Sequence, residues 1–124
     1  MAYSGSEKRK DQRAKGRFLV TYRLLEDAEK TDITQTKDIS IGGMIFVTKR
    51  KLSAGAELAL EIGLPFESKS ITLIGSVLES KEVVADLVYD TRVIFLSVEK
   101  KNKQALEKTV NYFKQEEKGI SEYY

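Results

Sequence analysis

The sequence predicts an all-β domain finished by one C-terminal α-helix, with a closed or nearly closed antiparallel barrel as the first architecture and a β-sandwich as the second. Three observations predict it. From Phe18 onward the chain falls into short runs rich in β-branched and aromatic residues, separated by Gly, Pro, Asp, Ser or Lys clusters. No helical pattern interrupts these runs, which excludes the alternating order of a parallel α/β sheet. Near residue 100 the apolar period changes from that of a strand to that of a helix. At 124 residues the chain can bury one real core but not two ordinary ones.

The runs predict strands at "FLVTYRLL" (18–25), "TDITQTKDI" (31–39), "GMIFVT" (43–48), "ELALEIG" (57–63), "SITLIGSVLES" (70–80), "EVVADLVY" (82–89) and "TRVIFLSV" (91–98). The alternation is cleanest in "ELALEIG", where Leu58, Leu60 and Ile62 share one face and Glu57, Ala59 and Glu61 the other, so one face is buried and one is wet. "LSAGAE" and "LPFESKS" read as turns, with Gly55 and Pro65 supplying the backbone geometry. In "KKNKQALEKTVNYFKQEEKG", Leu106, Val110 and Phe113 recur at helical spacing beside Ala105 and Thr109, while Lys and Glu fill the other face. This predicts an amphipathic helix that packs on an open end of the β-structure and is capped by Gly119. The expected organisation is a flexible basic segment over 1–17, the barrel with its helix over 18–118, and a tail over 119–124.

Charge is distributed unevenly. The composition is 41% hydrophobic and 32% charged with a net charge of only +2, which excludes a disordered polyelectrolyte. Yet residues 1–17 hold Lys8, Arg9, Lys10, Arg13, Lys15 and Arg17 against Glu7 and Asp11, a local charge of +4, so the remainder sums to −2. An anionic partner would meet the N-terminal segment. The chain has no cysteine and no histidine, which removes disulfides, thiolate chemistry, the usual zinc sites and histidine bases. No apolar run reaches the roughly 18 residues of a membrane span, and "MAYSGSEKRK" lacks the apolar core of a secretory signal, so the expected location is the cytoplasm.

The segment "KDISIGGM" carries the most specific chemistry. Asp38 and Ser40 are two apart, so along an uninterrupted strand they leave on one face while Ile39 and Ile41 point into the core. Gly42 and Gly43 permit a bend or positive φ and leave bare backbone for a flat ligand. Ser and Asp before glycines also serve as turn residues, which is the competing explanation.

Together, Arg9 and Arg13 in "RKDQR" (RxxxR) and Asp38, Ser40 and Gly43 in "DISIGG" (DxSxxG) resemble the signature of the PilZ domain. The resemblance extends through "ITLIGSV" and "RVIFLSVEKKNKQALEKTV", from about Arg9 to Phe113. It implies a six-stranded antiparallel barrel with a C-terminal helix, so one of the seven runs is split or lies outside the barrel. It further implies a non-enzymatic, single-domain receptor for cyclic di-GMP bound by Arg9, Arg13, Asp38, Ser40 and Gly43, with Lys8, Gly42 and Arg17 as weaker candidates. The ligand's chemistry agrees with these residue types. Arginine can fork onto guanine O6 and N7 or clamp a phosphate, and a carboxylate can accept from guanine N–H groups. Arg13 and Arg17 form a second RxxxR pair, but Arg17 abuts the first strand with little slack, which favours Arg9 and Arg13. One departure stands out: where many relatives carry a glycine shortly before the strand phenylalanine, "TRVIF" has Arg92.

The expected mechanism joins the two motifs, with ligand on the barrel gathering the arginines and the ordered segment presenting a new surface to a downstream protein. Two other functions compete with it, a ligand-free adaptor of the same fold and a small barrel that binds nucleic acid. The latter calls for aromatics interleaved with the cations, and only Tyr3 and Phe18 flank the basic segment. Tyr22, Tyr89, Tyr123 and Tyr124 are possible stacking platforms, the first two more naturally core or sheet residues.

Overall fold

The computed structural model describes the backbone of residues 13–14, 18–27 and 29–123, with side chains over 18–27 and 29–113. Seven strands precede one helix: β1 (Arg13–Ala14), β2 (Leu19–Leu24), β3 (Asp32–Ser40), β4 (Gly43–Thr48), β5 (Glu57–Ile62), β6 (Ile71–Val84), β7 (Val88–Leu96) and α1 (Lys100–Tyr123). All pairings are antiparallel, in the order β1-β3-β2-β5-β6-β7-β4, and the further pairing of β3 with β4 closes the sheet. Strands β2 to β7 thus form a closed six-stranded barrel, and the two-residue β1 continues the line of β2 along the far half of β3. Closure leaves the barrel proper without a free edge.

One core fills the barrel. The predicted alternation of β5 holds, with Leu58, Leu60 and Ile62 buried, and they meet Val20, Tyr22, Ile39, Met44, Phe46, Leu73, Val77 and Val93 from the other strands. The stripe Ala105, Leu106 and Val110 of α1 joins the same cluster, while Phe113 packs against it and sets its ring edge-on to Phe18 at 5.4 Å. Helix α1 therefore buries its apolar face within its own domain, against β1 and β3. Among the described residues, no helix is long and apolar enough to cross a membrane.

Three expectations are corrected. The run 82–89 is not a strand of its own, because β6 continues to Val84 and a tight turn at Asp86 starts β7 at Val88. Asp86 takes φ 61° there, a left-handed conformation that Asp tolerates, and its N–H is accepted by Glu82 Oε2 at 2.9 Å. Gly119 does not cap the helix, which continues to Tyr123, since a glycine ends a helix only where it leaves the helical conformation. Ile41 does not enter the core; it lies half-buried in the bend between β3 and β4. The Gly55 turn is as expected, at φ 89°.

Candidate functional site

Strand β3 decides how the DxSxxG residues are presented. In its first half Asp32 and Thr34 stand opposite the core residues Tyr22 and Val20, and Thr36 stands opposite Phe46, so even-numbered residues face inward. Continued without interruption, that parity would drive Asp38 and Ser40 into the core. The register with β4 instead slips between Thr36 and Asp38, leaving Lys37 as the extra residue of a β-bulge. Beyond the bulge Ile39 points inward, opposite Met44, and is fully buried, while Asp38 pairs with Ile45 on the outer face. Lys37 reaches outward over β4 to Asp90 of β7, with Nζ 3.0 Å from Oδ2. One extra residue thus turns Asp38 toward the outside of the barrel.

Ser40 is committed to the bend that follows. Its hydroxyl accepts from the backbone N–H groups of Gly42 (3.2 Å) and Gly43 (3.1 Å) and donates to the Gly43 carbonyl (3.2 Å). One donor and two lone pairs are the whole capacity of a hydroxyl, so this side chain, 2% exposed, holds the turn. Gly43 has an equally local reason to be glycine. A Cβ there would collide with the Val93 carbonyl oxygen of β7, and Phe95 N–H donates to the Gly42 carbonyl at 2.8 Å. Neither glycine is among the described residues with positive φ, so close strand approach rather than left-handed backbone explains Gly43.

The arginine motif approaches the same place. Strand β1 pairs with the end of β3 so that Arg13 stands opposite Ser40 and Ala14 opposite Ile39. The line of β1 and β2 slips by one residue around Phe18, whose N–H is accepted by Thr36 Oγ1 at 3.2 Å and whose carbonyl accepts from Thr36 N–H at 3.0 Å. Arg13 of "RKDQR" and Ser40 of "DISIGG", 27 positions apart, become backbone neighbours only through this three-strand arrangement. Lys8, Arg9 and Arg17 lie outside the described residues. Asp38 is half-buried beside Ile45, and the same outer row continues through Arg92 of β7 to Glu79 of β6. Sequence reasoning noted Arg92 only as a departure, because nothing in a sequence fixes which residues of β4, β6 and β7 fall beside β3.

At the opposite end of β3, Tyr22 is core rather than platform. It packs edge-on to Phe46 at 5.1 Å, and its hydroxyl is pushed up to about 12 by burial first and by the neighbouring Asp32 carboxylate second. Among the described residues there is no group of three or more carboxylates placed to hold a metal ion.

Residues 7–112 match the PilZ domain. No curated protein matches the sequence significantly. Among solved structures, the chain is similar to the Bacillus subtilis inhibitor of motility MotI/DgrA, at 22% identity and a TM-score of 0.71, over 90% of this chain and 52% of that one. It is similar to the PilZ domain of YcgR from Escherichia coli with c-di-GMP, at 15% identity and 0.66, over 94% and 99%. It is also similar to the K. pneumonia MrkH–c-di-GMP complex, at 23% identity and 0.70, over 90% and 55%. The chain spans about half the length of the MotI and MrkH chains. Motif spacing, a closed six-stranded barrel with its terminal helix, and a family match over most of the sequence agree, and the chain belongs to the PilZ domain family.

Proposed function

We propose that the protein is a receptor for cyclic di-GMP and catalyses no reaction. The observation that carries this reading is the convergence of the two motifs: the Lys37 bulge turns Asp38 to the outer face, and β1 brings Arg13 into register with Ser40. Two of the similar structures hold c-di-GMP in complexes of their own. In this reading Asp38 accepts from guanine N–H groups, Arg9 and Arg13 take phosphate or the O6 and N7 edge, and the Ser40–Gly43 turn fixes the spacing between them. The rest of the N-terminal segment around β1 then closes across the ligand, and that new surface is what a downstream protein reads.

Isothermal titration with cyclic di-GMP, and GMP as control at the same salt, tests the assignment. Saturable binding of the cyclic dinucleotide alone is expected, and Arg13→Ala should weaken it by about 1 to 3 kcal/mol, roughly 5- to 150-fold. Tryptic cleavage at the basic segment should slow in the presence of ligand. A second reading, a ligand-free adaptor, is favoured by one observation: Ser40 and Gly43 both have complete local roles and would persist without any ligand. Absence of binding by two independent probes would select it.

A further inference from the structure

The outer face of the barrel holds a second fixed cation in line with the motif. Asp38 stands opposite Ile45, Ile45 opposite Arg92 and Arg92 opposite Glu79, one continuous row across β3, β4, β7 and β6. Paired residues in an antiparallel ladder share a face, and the inward neighbours Thr91, Val93 and Phe95 are buried, so Arg92 points out. Two interstrand steps separate the Asp38 and Arg92 backbones, about 10 Å, a span that a cyclic dinucleotide can bridge. Between them the floor is apolar and low: Gly43 offers no side chain, Ile45 is half-buried, and Ile94, opposite Gly43, is 40% exposed.

Arg92 is poorly satisfied where it stands. Its Nε is buried and makes no hydrogen bond; the nearest carboxylate oxygen, Glu79 Oε2, is 3.9 Å away, beyond hydrogen-bonding range, on a side chain that is itself 61% exposed. Such a pair is weak and readily exchanged for a better anion. The buried Nε of Arg50 is also unpaired, but Arg50 lies toward Tyr22 at the other end of the barrel. We propose that Arg92 is a further ligand-binding residue, whose guanidinium leaves Glu79 to clamp a phosphate of the cyclic dinucleotide while a base lies on the Gly43, Ile45 and Ile94 floor. The proposal rests on the receptor reading above. It adds a barrel-borne arginine to those of the N-terminal segment, so part of the phosphate recognition is pre-positioned on the barrel wall.

The test is a titration of cyclic di-GMP into the full chain and into Arg92→Ala, Glu79→Gln and the double variant, with urea unfolding of each as a fold control. Arg92→Ala should weaken binding roughly tenfold or more, the loss of a charge-assisted hydrogen bond. Glu79→Gln, a change at an exposed side chain, should tighten binding by freeing the guanidinium, and that gain should vanish in the Arg92→Ala background. Glu61→Gln, on the outer face of β5, is the control for net charge and should leave affinity alone. Wild-type affinity in a folded Arg92→Ala, or a Glu79→Gln effect that persists without Arg92, would overturn the proposal alone. No binding by the unaltered chain would instead overturn the receptor reading, and the proposal with it.

Discussion

At the scale of single residues, the DxSxxG element divides between residues that hold the bend, Ser40 and Gly43, and one that faces outward, Asp38. Ser40→Ala would leave the N–H groups of Gly42 and Gly43 without their acceptor in a buried bend, so urea unfolding of the free protein should show a loss of about 1 to 3 kcal/mol. Gly43→Ala should also destabilise the free protein, because β4 must move away from the Val93 carbonyl to admit a methyl group. If either variant kept full stability and lost only affinity, the role of that residue would be ligand contact rather than architecture. The sequence made these positions visible but not their jobs. A serine two residues before paired glycines is consistent with a turn clamp and with a ligand contact, and only the three hydrogen bonds at Ser40 separate the two.

At the scale of the element, β3 is where pattern reading and structure differ most instructively. The run 31–39 was legible as a strand, and Ile39 as a core residue, yet the alternation of Asp32, Thr34 and Thr36 leads to an inward Asp38 unless a residue is skipped. Nothing in "TQTKDIS" marks Lys37 as the skipped one, since a lysine fits an exposed strand position and a bulge equally well. The two uses are separable by experiment. Lys37→Ala removes only an exposed ion pair with Asp90 and should change stability by less than about 1 kcal/mol and ligand affinity little. Deleting Lys37 would remove the bulge yet leave Thr36 inward, Asp38 outward and Ile39 inward by plain alternation, so the variant should still unfold cooperatively and still bind ligand. Loss of binding by a folded deletion variant would show that the site needs the bulge's own geometry and not only the face it sets.

At the scale of the whole molecule, the motif and the Tyr22 cluster lie at opposite ends of the barrel. The motif lies at the far end of β3, where β1, β4 and α1 meet, and the sequence conveyed this only partly: the helix period and the runs of the six barrel strands were readable, but β1 and its contact with α1 depend on partners distant in the chain, and the turn at Asp86 lay inside a run read as a strand. The other end is sealed by Tyr22, whose hydroxyl is pushed up to about 12 by burial and by Asp32. Because the folded value is above the ordinary 10.0, the fold favours the protonated phenol, and the unfolded chain gives up its proton first as pH rises. This contribution to stability is therefore complete below pH 10 and lost between about 10 and 12. Urea unfolding of wild type should reproduce that fall, whereas Tyr22→Phe should begin from lower stability, having lost the bond to Asp32, and decline less steeply over the same window. An equally steep decline in Tyr22→Phe would assign the alkaline transition to other groups. At neutral pH the same variant should bind cyclic di-GMP as wild type does, since the Tyr22 phenol is uncharged there and stands opposite Asp32, at the other end of β3 from Asp38.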